Sequence, residues 1–125
     1  MIRKKIAAVV GTAMLAGLGI AATATPASAA YGDCSPGALC AFLGDGGAGD
    51  PGEVSGNNSN LLQYYKFDNA ESVYNHGNEC DVRIYSGTGY TGYSFILHRG
   101  KVVSNLDTWY SGHYADNVAS NKWVC

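Results

Sequence analysis

The sequence predicts an all-β domain, a sandwich of short antiparallel strands in two similar halves, preceded by an export leader. Three observations predict it. Beyond residue 30 no stretch shows a helical apolar period. Short runs rich in Val, Ile, Leu, Tyr and Phe alternate there with Gly/Asn/Asp/Ser clusters, the signal of strands joined by turns. Segments of the first half also recur in the second at nearly constant spacing, which points to a duplicated supersecondary unit.

The leader comes first in the chain. Arg3, Lys4 and Lys5 precede an apolar run from Ile6 to Ala22, and Ala27-Ser28-Ala29 closes the segment. A basic head, an apolar middle and an Ala-x-Ala exit make residues 1–29 a secretory signal peptide. Cleavage is expected after Ala29, or after Ala30 as second choice. The apolar run is barely long enough for a bilayer, which needs about 20 residues, and no charged stop-transfer cluster follows. The expected product is therefore secreted and extracellular, with no membrane segment after cleavage. Residues 30–125 form one domain.

Cleavage removes three of the eight basic residues and none of the ten acidic ones, which leaves a net charge of −5. Nucleic acid and anionic membranes are poor partners for that balance, because both need a basic patch. A domain of 96 residues buries a modest core and gains from covalent staples. Cys34, Cys40, Cys80 and Cys125 supply two disulfides in an exported chain. Three connectivities are open. Locality favours Cys34–Cys40, since Ser35-Pro36-Gly37 is turn chemistry, and Cys80–Cys125 would then tie the second half together. A zinc site is a poor fit: no CxxC pair occurs, and His76, His98 and His113 are scattered.

The strands are expected in this order: Leu39 to Leu43, Leu61 to Tyr65, Ser72 to Asn75, Val82 to Tyr85, Tyr93 to His98, Lys101 to Val103 and Asn121 to Val124. Val82/Ile84 and Phe95/Leu97 alternate so that one face is apolar. Gly44 to Asn60 is polar and Gly-rich, and reads as a flexible surface excursion rather than a binding loop.

The repeat has two anchors. Leu39-Cys40-Ala41-Phe42-Leu43-Gly44 corresponds to Val82-Arg83-Ile84-Tyr85-Ser86-Gly87 at a shift of 43. Phe67-Asp68-Asn69-Ala70-Glu71-Ser72-Val73 corresponds to Ala115-Asp116-Asn117-Val118-Ala119-Ser120-Asn121 at a shift of 48. Four-stranded Greek keys are the natural unit for such short strands, the first over about 34–78 and the second over about 79–125.

On these residues the chain resembles the βγ-crystallin superfamily. Tyr85, Tyr90 and Gly92 carry the signature of that family's folded hairpin. The aromatics pack across the hairpin, and the glycine takes a conformation other residues resist. The first half offers Phe42, Gly47 and Gly49, with Gly47 in place of the second aromatic. The resemblance also implies a Ser closing each hairpin, and Ser72 and Ser120 hold those places. Among small exported chains of this type the whole is similar to peptidase inhibitor family I36, through the early Cys-Ser-Pro-Gly-Ala-Leu-Cys segment and the stretch from Phe67 to Asn75.

That resemblance implies a secreted, monomeric inhibitor whose partner is an extracellular protease, a metalloendopeptidase by preference. It identifies no inhibitory loop. Gly44–Asn60, Gly77–Asp81 and Asp107–His113 are the loops that could bind a cleft. Trp109 and Tyr110, with Tyr114 close by, are of types enriched in interface hot spots, the bland alternative being core or hairpin packing.

The crystallin resemblance further implies Ca²⁺ as the one candidate cofactor. Calcium-binding members use a six-residue pattern, and five of six positions fit in each copy. Asp68, Asn69 and Ser72 are the candidate ligands in the first, and Asp116, Asn117 and Ser120 in the second. Asp-Asn is equally at home in a turn without metal. A calcium-binding module without inhibitor activity, or a small killer-toxin-like protein, is the alternative function. Catalysis is not expected, since neither Gly-x-Ser-x-Gly nor His-Glu-x-x-His occurs.

Overall fold

The computed structural model describes residues 30–125. The expected leader and its cleavage point lie outside the described residues, and no helix among the described residues is long and apolar enough to cross a membrane.

Among the described residues, seven strands form two antiparallel sheets. The first contains β1 (Leu39–Phe42), β2 (Gly52–Val54), β3 (Ser72–Asn75) and β6 (Val102–Val103), in the order β2-β1-β3-β6. The second contains β4 (Asp81–Gly87), β5 (Thr91–Leu97) and β7 (Ser120–Val124), in the order β5-β4-β7. Pairing puts Ala41 opposite Val73, Val73 opposite Val103, and Ile84 between Phe95 and Asn121.

The halves exchange edges. Strand β6 lies in the second half of the chain yet pairs with β3 of the first sheet. In return, Asn58 of the first half exchanges backbone hydrogen bonds with Asn121 of β7, at 3.1 and 3.0 Å. Each sheet is thereby completed by residues from the other half.

Apolar side chains at alternate positions meet between the sheets. Leu39, Ala41, Val73 and Val103 face Val82, Ile84, Phe95 and Leu97, with Leu61, Phe67, Leu106 and Tyr114 from the connections closing the ends. Strand β1 is buried at all four positions because both its faces are covered. Its other face packs Cys40 and Phe42 with Cys34 and Ala38, and Tyr31 and Tyr74 join them. Complete burial of Phe42 contributes about 2–3 kcal/mol. The disulfides are Cys34–Cys40 and Cys80–Cys125.

Two expectations need correction. Leu61 to Tyr65 is not a strand: Leu61–Gln63 is a 3₁₀ turn and Tyr65–Asp68 a single α-helical turn, α1. The Asn60 side chain accepts a hydrogen bond from Leu62 N and starts the turn. Alternation would have buried Gln63 and Tyr65 beside Leu61, whereas Leu61 and Phe67 are the buried pair. Nor is Gly44 to Asn60 a loose excursion. It contains the Asp45–Gly47 turn, strand β2 and the Asn58 bridge. Trp123 ties it down further, donating from Nε1 to Gly56 O at 2.9 Å and from its backbone to Asn57 Oδ1 at 2.8 Å.

Candidate functional site

Four structures on the scaffold bear on function: two folded hairpins, an acidic group and an aromatic loop.

The second hairpin forms as its residues require. Tyr85 and Tyr90 meet edge to face at 5.7 Å, and Tyr90 has φ +62. A Cβ on Gly92, at φ +81, would lie 2.6 Å from Ser86 Oγ, so only glycine fits. Lys122 Nζ stands 4.3 Å over the Tyr90 ring, a cation–π contact. Ser120 Oγ donates to Gly87 O at 2.6 Å and accepts from Tyr90 N at 3.1 Å.

The first hairpin repeats this backbone at a shift of 43. Gly46, Gly47 and Gly49 have φ +64, +77 and +91, against +67, +62 and +81 at Gly89, Tyr90 and Gly92. Ser72 Oγ donates to Gly44 O at 2.7 Å and accepts from Gly47 N at 2.9 Å. The aromatic absent at position 47 is supplied by Tyr31. Its ring packs edge to face on Phe42 at 5.2 Å and on Tyr74 at 5.5 Å. A Cβ on Gly47 would sit 2.7 Å from that ring. Ala30 N donates to Gly47 O at 2.6 Å and seats the segment. Burial pushes the Tyr31 phenol above its ordinary range, with the nearby Ser72 hydroxyl offsetting part of this. Ser72 Oγ is already committed to Gly44 and Gly47, and the Tyr31 hydroxyl is buried without a hydrogen-bond partner among the described residues.

The six residues of the calcium pattern are distributed as follows. Both serines close hairpins. Asn69 Nδ2 donates to Tyr65 O at 3.0 Å, and Asn117 Nδ2 to Ser86 O at 2.8 Å, so both asparagines brace backbone turns. Asp68 is exposed at the end of α1. Asp116, at φ +52, joins an acidic group that the pattern did not identify. Carboxylate oxygens of Asp45, Glu71 and Asp107 lie within 4.8 Å of one another. Glu71 is half-buried at the centre, and its carboxyl is pushed up to about 7. Burial is the largest cause, followed by hydrogen bonding to, and charge repulsion from, Asp116 and Asp107. The repeat brings Thr88, Ala119 and Asp68 to the corresponding places of the other half. Only one of the two related positions is rich in carboxylates. The signal available in the sequence was the placement of Asp45 directly after a hairpin glycine and of Glu71 directly before a hairpin serine.

Of the three loops considered for binding, Gly44–Asn60 is absorbed into the sheets. Gly77–Asp81 is held down by Asn75, whose Oδ1 accepts from Gly77 N at 2.7 Å, and by the Cys80 disulfide. Asp107–His113 differs. Tyr110, Ser111 and Gly112 have successive φ values of +45, +59 and +80, a conformation that costs roughly 1–2 kcal/mol at each non-glycine residue. Tyr114 is core, but Tyr110 and Trp109 are turned outward, at 59% and 37% exposed. Both rest against Phe95, at 5.9 and 5.6 Å.

A family model described as peptidase inhibitor family I36 matches residues 27–97, more than half of the chain. No curated protein matches. Among solved structures, one from work on the evolution of the eye-lens βγ-crystallin domain fold is 19% identical, with a TM-score of 0.62 over 75% of this chain and 91% of that one. IPSE/alpha-1 from Schistosoma mansoni eggs is 15% identical, with a TM-score of 0.59 over 73% and 88%. A βγ-crystallin from Ciona intestinalis is 21% identical, with a TM-score of 0.56 over 70% and 100%. The fold is the βγ-crystallin fold.

Proposed function

Since the chain belongs to peptidase inhibitor family I36, we propose that it is a secreted inhibitor of metalloendopeptidases, working by occupation of the protease cleft. The family match carries this reading. The scaffold suits it: two disulfides and hydrogen-bonded hairpins hold the surface loops in place, and preorganised loops lose less entropy on binding. The test is inhibition of a thermolysin-type metalloendopeptidase by refolded residues 30–125, with a subtilisin-type serine protease alongside. Stoichiometric loss of metalloendopeptidase activity is the expected result. Full activity of both enzymes, with the added protein intact, would reject it.

The acidic group favours calcium binding as a second property. Hard carboxylate oxygens are calcium's preferred donors, and two oxygens at 2.4 Å from one ion lie up to about 4.8 Å apart. Asp45, Glu71 and Asp107 would hold the ion, which would neutralise their repulsion. The raised Glu71 carboxyl gives a pH signature in metal-free protein. Its contribution to stability is complete below the ordinary value of 4.5 and is lost as pH rises through about 7. In chelator, the melting temperature should therefore fall across that window, and Glu71→Gln should flatten the fall. Millimolar Ca²⁺ at pH 7.5 should raise the melting temperature of the unsubstituted protein. An unchanged value would remove calcium from the account.

A further inference from the structure

We propose that the tip formed by Trp109 and Tyr110 is the element that enters the peptidase, with Tyr110 filling an apolar side-chain pocket beside a basic rim. The inference rests on the inhibitor reading above and names the contact that reading leaves open.

Two properties set this loop apart from the other two candidates. It alone turns large aromatic side chains outward, and it does so from a backbone held in a left-handed conformation at two non-glycine residues. Strain of that kind persists only where the surroundings over-determine it, and it concentrates at binding sites. The surroundings here do over-determine it. Tyr114, immediately after the loop, is buried and packs on Phe95 at 4.7 Å. His113 stacks on Tyr93 of the edge strand β5 at 3.9 Å, with the rings 12° from parallel. Trp109 and Tyr110 meet edge to face at 5.2 Å.

Tyr93 and Phe95 lie two residues apart on β5 and so share a face. The exposed ring of Tyr93 is therefore continuous with the tip through Phe95. The exposed pair Tyr64 and Tyr65 lacks such support, its one aromatic neighbour being Phe67 at 6.5 Å from Tyr64. Tyr and Trp give large contact area at little entropic cost, as an anchor residue should.

Charge specifies the partner. Asp107 opens the loop and belongs to the acidic group with Asp45, Glu71 and Asp116. An apolar tip with carboxylates at its base complements an apolar pocket rimmed by Lys or Arg.

The experiment compares residues 30–125 with their Tyr110→Ala, Trp109→Ala and Tyr65→Ala variants, against a metalloendopeptidase that the unsubstituted protein inhibits. Melting temperatures are measured in parallel, since Trp109 and Tyr110 both rest against Phe95. Tyr110→Ala should weaken inhibition at least tenfold while still unfolding cooperatively above the assay temperature, and Tyr65→Ala should inhibit normally. Association should also slow as salt is raised. Undiminished inhibition by folded Tyr110→Ala would overturn the assignment and leave the inhibitor reading standing. Inhibition of no peptidase by the unsubstituted protein would remove both. A dimer that Tyr110→Ala converts to monomer in sedimentation would make the tip a self-association surface, and that too would overturn the proposal.

Discussion

Tyr31 stands where the two halves of the molecule stop being alike. In the second half the hairpin carries its own aromatic at Tyr90, whereas in the first the position is Gly47 and the ring arrives from the start of the domain. Removing a packed ring of this size leaves a cavity, so Tyr31→Ala should cost about 3 kcal/mol in denaturant unfolding. Tyr31→Phe should behave in the opposite way. The hydroxyl is buried and has no hydrogen-bond partner among the described residues, and deleting it relieves a desolvation cost of about 1 kcal/mol. A destabilised Tyr31→Phe variant would show that the hydroxyl has a partner after all.

The same residue explains a limit of sequence reading. Tyr85, Tyr90 and Gly92 are close in the chain, so the second hairpin was legible. Tyr31 lies well upstream of Gly47, and no local pattern links them. The acidic group was hidden for a similar reason: Asp45, Glu71, Asp107 and Asp116 come from three separate connections.

At the scale of elements, the two hairpin serines perform one task in two places. Each donates to a carbonyl at the hairpin's start and accepts from an amide at its tip. Alanine at either position strands a half-buried carbonyl and an amide. Ser72→Ala and Ser120→Ala should each cost about 1–3 kcal/mol in thermal or denaturant unfolding. A neutral result at either would mean that water takes over both bonds.

The strands that sequence identified were short runs of Val, Ile, Leu, Tyr and Phe between turn clusters, two of which, β4 and β5, also alternate. Strand β2 escaped because Gly52-Glu53-Val54 has no such pattern and is defined by backbone pairing to β1. The stretch from Leu61 to Tyr65 misled because Leu and Tyr are common in strands. There, the Asn60 cap and the spacing of Leu61 and Phe67 decide for turns.

At the scale of the whole molecule, the exchange of edges makes the halves interdependent. Strand β6 completes the first sheet, and the Asn58 bridge extends the second. Fragments 30–78 and 79–125 each lose an edge and half of the shared core. Each alone should give the circular dichroism of an unfolded chain. A cooperative melting transition in either would show that one half suffices.

The Cys80–Cys125 bond closes 46 residues into a covalent ring, and Trp109 and Tyr110 lie within it. A peptidase that hydrolysed a single bond at the tip would release no fragment, since both new ends would stay tethered through the ring. The severed ends would remain near one another, where the reverse reaction competes with escape. For a protein that presents its own backbone to a peptidase, one cut is then a reversible nick rather than the first step of digestion.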